Sequence, residues 1–397
     1  MRRLIILASA FAALACAQTQ EKEPMDQLID RVYDVAKAQA VYMDRLLPEG
    51  RYPRTFQDGE LVTTDIGWWC SGFYPGVLWQ LFRTTGEEEF RQLAIKYTRP
   101  LAGLLERETD HDIGFQLMSS YGRWFISDFA FSMREGRLPL DEISDVLDKG
   151  KKKLAERFDP EIGAIRSWNG ARWNYPVIID NMMNLDLLMH VATDPLREIA
   201  EKHALTTMKN HFREDGTAWH LVDYADDGSV LGKQTVQGYA DDTAWARGQA
   251  WALYGYAMMA SLERQNPELA ESFYGVAAKL ESWLLKNLPE DGIPYWDFSQ
   301  TDYKDASAAA IIACGLLRMW ELRECPDDDP ALVMAERIIR TLASPEYLAE
   351  PGTNGGFLLK HGVGNLPGNS EVDVPLTYAD YYFLEALSHL CLTVISF

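Results

Sequence analysis

Asp180 is a carboxylate inside an otherwise apolar run, VIIDNMMNLDLLMHVA (177–192), with Asn181 and Asn184 beside it. Burying an unpaired carboxylate costs several kcal/mol, so its place there needs a reason. Asn184 follows four residues on, which puts both side chains on one helix face. Two readings fit. Asp180 caps the helix start or is satisfied by neighbouring amides. Otherwise its face looks into a cavity, where partial desolvation raises its pKa toward the range that proton transfer needs. Asp112, in HDIGFQLMSSYG, precedes a second apolar run and has the same two readings. His220, in TAWHLVDYADDG, is a structural histidine or a site residue. Arg247 and Trp251, in TAWARGQAWALYGYAM, share a helix face, and the arginine meets either a buried acid or a strongly polar ligand. Trp68, Trp69, Trp168, Trp173, Trp219 and Trp245 each lie beside polar residues, and Gln237 adds an amide. Tryptophan faces stack on the C–H faces of sugar rings, while carboxylates and amides bind hydroxyls. The combination suggests a saccharide ligand, although any one tryptophan also fits a core.

Composition narrows the function. The chain has 397 residues and a formal net charge of -21. Phosphate contacts need basic patches, so nucleic acid is not an expected partner, and neither is an anionic membrane surface. The seven histidines form no HExxH pair, and no GxGxxG, GK[ST] or GxSxG motif occurs. No motif of these kinds points to a metal or an organic cofactor. The start, MRRLIILASAFAALACAQTQ, has the arginines, short apolar run and small residues of a secretion signal. That apolar run is too short to span a bilayer, and no later segment reads as transmembrane. Cleavage after Ala17 leaves residues 18–397. Cleavage after Ala15 leaves Cys16 at the mature N-terminus, as for a lipid anchor in a bacterium. The expected location is the periplasm or the outer membrane. Cys70, Cys314, Cys325 and Cys391 are scattered, with no CxxC, and read as mostly free and buried.

These residues need a scaffold. Strand signals are few. Helical patterns run near 24–46, 71–84, 87–106, 114–134, 140–157, 177–192, 194–211, 243–264, 267–287, 304–324, 329–343 and 375–393. They come in pairs. An apolar helix after a Gly/Trp/Asp-rich loop is followed by one with a solvated face, as in DASAAAIIACGLLRMWEL and then PALVMAERIIRTLA. One such pair cannot hide its apolar face alone, but stacked copies can. About six pairs predict an all-α (α/α)6 barrel, a single domain with six inner and six outer helices and a central pocket at one mouth.

The stretches WWCSGFYPGVLW, HDIGFQLMSSYG, RSWNG, YPVIIDNMMNLDLL, TVQGYADDTAWARGQAWALYGY and EVDVPLTYADYYFLEAL recur in the order of a known family. On these the chain resembles glycoside hydrolase family 88, the unsaturated glucuronyl hydrolases, over nearly its whole length. The resemblance implies the same barrel. It also implies exolytic removal of a 4,5-unsaturated glucuronic acid from the non-reducing end of lyase-generated di- or oligosaccharides. In that chemistry the enol ether is protonated at C4 and water adds at C5. By the same matching, Asp180 is the general acid/base and Asp112 the second essential aspartate. Trp69 and Trp168 stack on the unsaturated ring, and His220, Gln237, Trp245, Arg247 and Trp251 line the pocket.

The chain departs from the family where sulfate-accepting members carry Ser after a His. Here Gly362 follows His361, and Ser370 is the nearest serine. Alternatives remain an unsaturated rhamnogalacturonyl hydrolase, a conventional two-carboxylate glycosidase, and a glycan-binding protein. The parent polysaccharide is open among glycosaminoglycans, ulvan, gellan and xanthan.

Overall fold

The computed structural model describes residues 23–132, 139–189, 195–263 and 265–394. The expected secretion signal and Cys16 lie outside the described residues. The outer helices are α1 (Met25–Leu46), α3 (Glu88–Thr98, continued by a 3-10 turn), α6 (Leu140–Ala155), α9 (Arg197–Asn210), α11 (Pro267–Asn287) and α13 (Pro330–Leu342). The inner elements are α2 (Phe73–Thr85), a run of α4 (Ile113–Leu117) and α5 (Arg123–Ser132), the pair α7 (Asn181–Asn184) and α8 (Asp186–Met189), α10 (Ala246–Leu262), α12 (Ala306–Leu322) and α14 (Thr377–Val394). Contacts run from α2 to α5, from α4 to α7, and on through α10, α12 and α14 back to α2. The inner ring is therefore closed, as the pairing of apolar and amphipathic helices predicts.

Local chemistry sets many of the helix ends. The Asn266 side chain accepts from the Leu269 N–H ahead of α11, and Asp329 accepts from Ala331 N–H ahead of α13. A proline occupies the first turn of both helices, where no N–H is missed. Almost every residue of α12 is buried, as an inner helix requires. Close approach within the ring depends on absent side chains. A Cβ on Gly76 of α2 would sit 2.5 Å from the Ser119 carbonyl oxygen.

Two expectations need correction. Residues 177–189 do not form one helix, and 190–192 lie outside the described residues. Val177 lies in β5 (Pro176–Ile178), and the helix begins only at Asn181 and breaks at Leu185. A short apolar run fits a buried strand as well as a helix. Strands are also more numerous than the sequence suggests, though short. They are β1 (Tyr52–Gln57) with β2 (Glu60–Thr64), β3 (Phe158–Asp159) with β4 (Ala164–Ile165), β5 with β6 (Leu221–Tyr224) and β7 (Val230–Gln234), and β8 (Gly362–Asn365) with β9 (Ser370–Val374). In addition, a π turn over Met118–Gly122 joins α4 to α5.

The inner elements share one direction. Asp112, Asp180, Trp245 and Asp305 immediately precede the N-terminal ends of inner helices, and Trp69 lies in the turn that leads into α2. The hairpins β1–β2 and β8–β9 and the β5–β6–β7 sheet lie in the segments leading into those ends. Cys70 and Cys314 are buried and free, and Cys325 is partly exposed and free. Among the described residues, no helix is long and apolar enough to cross a membrane.

Candidate active site

A strand register builds the centre of the site. In the antiparallel β5–β6 ladder, Ile178 pairs with Leu221, and Ile179 N–H donates to the His220 carbonyl at 2.9 Å. The next residue is Asp180, so the register sets Asp180 beside His220. The His220 Nε2 lies 3.8 Å from Asp180 Oδ2. Neither atom has a hydrogen-bond partner among the described residues.

The capping reading fails for both aspartates. Asp180 and Asp112 stand just before α7 and α4, but with helical backbone angles and no side-chain cap hydrogen bond. Buried polar atoms are ordinarily paired. Ten buried side-chain atoms among the described residues are not, and five of them belong to Asp180, His220, His111, Asn181 and Asn184. Half of the unpartnered buried polar atoms among the described residues are thus gathered at one place, which is what a ligand site needs.

Electrostatics assigns the protons. Burial pushes the Asp180 carboxyl up to about 7, while the Arg247 charge and a hydrogen bond from Trp251 pull the other way. Burial also raises Asp112 well above the carboxylate range, assisted by the charges of Asp110 and Asp180. His220 is driven down to about 3 by burial and then by Arg247, so it is neutral near pH 7. Its Nδ1 accepts from the N–H groups of Val236 (3.2 Å) and Gln237 (3.4 Å). The ring proton is therefore on Nε2, directed at Asp180. His111 is neutral for the same reason, at about 3.

The aromatic residues close a loop around this pair. Trp69 meets Phe115 (ring centroids 5.7 Å apart) and Tyr378 (4.8 Å), and Phe115 meets Trp251 (5.0 Å). His220 stacks on Trp245 at 4.3 Å. The Arg247 guanidinium lies 4.6 Å from the Trp245 ring centre and 5.4 Å from that of Tyr378. Arg247 also bonds Asp305 Oδ2 (3.2 Å) and the carbonyls of Val363 and Gly364. The ion-pair reading of Arg247 is thus met by Asp305, and its charge still acts on Asp180. Gln237 reaches the same loop, donating to the Gly364 carbonyl at 3.0 Å.

Of the nine residues singled out from sequence, Asp112, Asp180, Trp69, His220, Gln237, Trp245, Arg247 and Trp251 fall in this one cluster. Trp245, Arg247 and Trp251 are almost fully buried, whereas Trp69 and Gln237 are half-buried. Trp168 stands apart. Its ring packs edge-on against Trp173 at 5.6 Å, and it is tied to the cluster through its neighbour Ser167. The Ser167 carbonyl accepts from His111 N–H, and its Oγ accepts from Ile178 N–H. Sequence reasoning passed over Tyr378, Phe115 and Asp305. A tyrosine in the first turn of an otherwise apolar helix was the available signal for Tyr378. Asp305, directly before an all-apolar helix, reads as a cap, and it is one, accepting from Ser307 N–H.

No family model matches the chain. Individual proteins do. An unsaturated glucuronyl hydrolase of Formosa agariphila is 34% identical, over 98% of each chain. One of Bacillus sp. strain GL1 is 31% identical, over 86% of this chain and 91% of that one. Among solved structures, an unsaturated glucuronyl hydrolase described as specific for heparin superposes with a TM-score of 0.85. It is 36% identical over 93% of this chain and 98% of the other. With that likeness spanning the barrel and the segments that carry Asp112, Asp180 and His220, this chain belongs to the unsaturated glucuronyl hydrolases, glycoside hydrolase family 88.

Proposed function

We propose that this glycosidase removes a 4,5-unsaturated glucuronic acid from the non-reducing end of short lyase products, with Asp180 as both acid and base. One observation carries the reading. Asp180 has an unpartnered, buried oxygen and a carboxyl held to about 7. Such a group carries a proton for about half the time at neutral pH, the balance that a single group needs to give a proton and then take one.

The steps follow from that balance. Asp180–OH donates its proton to C4 of the enol ether, and positive charge develops at C5 and the ring oxygen. The Asp180 carboxylate then accepts a proton from water as its oxygen bonds C5. This restores the acid and leaves a hemiketal. The hemiketal opens and rearranges to release the partner sugar and a keto acid. The neutral His220, with Nε2–H toward Asp180, stabilises the carboxylate between the two transfers. Asp112, held in its neutral form by burial, holds sugar hydroxyls beside Asp180. The half-buried Trp69, Trp168 and Gln237 meet the ring, and Trp245, Arg247 and Trp251 line the deeper pocket around His220 and Asp180.

Incubation with unsaturated disaccharides from several polysaccharides tests the reading. Loss of the ultraviolet absorbance of the conjugated double bond, together with release of the partner sugar, is expected. The fastest substrate names the polysaccharide. Turnover confined to unsaturated rhamnogalacturonan products would instead assign the related activity. Export belongs to the same proposal and rests on residues 1–17, with cleavage after Ala17 or, leaving Cys16 to carry a lipid anchor, after Ala15. The mass of the mature N-terminus from a bacterial envelope fraction decides between the two cleavage positions.

A further inference from the structure

The inner helices have a second mouth. Asp112 and Asp180 sit at their N-terminal ends. A cavity of about 360 Å³ opens at their C-terminal ends, between Gln80 of α2, Ser127 of α5, Tyr254 of α10, Arg318 of α12 and Tyr382 of α14. Its size falls within the ~300–1,000 Å³ of small-molecule pockets. Phe115 and Met183 form its floor. On its other side, Phe115 packs on Trp69 and Trp251, and Met183 N–H donates to the Asp180 carbonyl. One layer of side chains divides this cavity from the candidate active site.

Three of the remaining unpartnered buried atoms line it, namely Gln80 Oε1, Ser127 Oγ and Arg318 Nε. Gln80 is 3% exposed and Ser127 1%. The three comprise an acceptor, a hydroxyl that works both ways, and a donor. Charge in the cavity cancels. Arg83, Arg123 and Arg318 face Asp186, Glu321 and Glu385. Arg123 is paired with Glu385, and Arg318 with Glu321 at 2.8 Å. His389, bonded to Glu321 at 2.6 Å, is shifted toward its neutral form by burial. The C-terminal helix ends bring partial negative charge, which favours donors over anions. Tyr254, Tyr382 and Phe115 supply apolar faces.

We propose that this cavity is a second saccharide site, taking a neutral hydroxylated ring of monosaccharide size. Sugar hydroxyls both donate and accept, so several on one ring satisfy an acceptor, a donor and a hydroxyl together, and the aromatic faces suit the C–H side of that ring. No turnover is involved, so binding here stands or falls independently of the reaction proposed above.

The test is saturation-transfer NMR with glucose and N-acetylglucosamine, and with glucuronate and glycerol as comparison probes, on full-length protein. Glucose or N-acetylglucosamine should bind saturably to wild type and to Trp69→Ala alike. Affinity should fall at least tenfold in Ser127→Phe, which fills the cavity. If that variant does not fold, Gln80→Met, which removes the acceptor at similar volume, should show the same loss. Absence of saturable binding would overturn the proposal. So would binding abolished by Trp69→Ala but untouched by Ser127→Phe or Gln80→Met, or a preference for glucuronate.

Discussion

Asp180 should cost the protein stability at alkaline pH, and the cost can be measured without substrate. Its carboxyl moves from an ordinary value of 3.8 to about 7, chiefly through burial. Because the folded pKa is the higher one, the native state binds the proton more tightly than the unfolded chain. Stability is therefore full below about pH 4 and falls as pH rises through the window up to about 7. Three pH units correspond to roughly 4 kcal/mol. Asp180→Asn keeps the shape, and its amide oxygen still accepts from Trp251, but it has nothing to ionise. The variant's gain over wild type should be larger at about pH 8 than at about pH 4 by roughly 2–4 kcal/mol. Any fixed difference between acid and amide cancels in that comparison. Equilibrium urea denaturation of both proteins at the two pH values reads it directly. An equal difference at both pH values would refute the burial argument and with it the neutral-pH acid.

Other perturbations probe the neighbours. Removing the Arg247 charge with Arg247→Gln should raise the Asp180 pKa, because that charge lowers it; the alkaline limb of the kcat/KM profile should move upward, and an unmoved limb would limit Arg247 to its Asp305 pair. His220→Phe should lower kcat by about 10²-fold with little change in KM, the usual scale for a group assisting proton transfer, while His220→Gln, which keeps a donor, should lose less. Equal losses in the two variants would show that His220 acts only by packing on Trp245. Gly76→Ala should destabilise the barrel by about 1–3 kcal/mol, since its methyl meets the Ser119 carbonyl and the Tyr381 ring; an unchanged thermal midpoint would mean that α2 does not need this approach to close the ring.

The sequence disclosed the barrel because its signals are local. Pro267 and Pro330, each after a capping side chain, mark where outer helices begin, and the apolar run of α12 marks an inner helix. The site residues were also legible as types: an aspartate in an apolar run and tryptophans beside polar neighbours. Their arrangement was not. Asp180 meets His220 only through the β5–β6 register, a pairing across some forty residues that no local pattern encodes. The same strand hid inside an apolar stretch that reads equally as helix. The protonation states depend on burial by side chains from several inner helices, so the neutral His220 and Asp112 appear only in three dimensions. The far cavity had no sequence signature at all, because Gln80, Ser127 and Arg318 are unremarkable polar residues until the ring closes.

The measurement that bears most directly on the account is the fate of an S-linked unsaturated disaccharide. Its C1–S bond resists cleavage by attack at C1, yet its C4–C5 double bond accepts a proton and water as readily as the O-linked form. Wild type should discharge the ultraviolet absorbance of both substrates, and Asp180→Asn of neither. Cleavage of the O-linked substrate with the S-linked one left intact would contradict hydration at C5 and place the chemistry at C1.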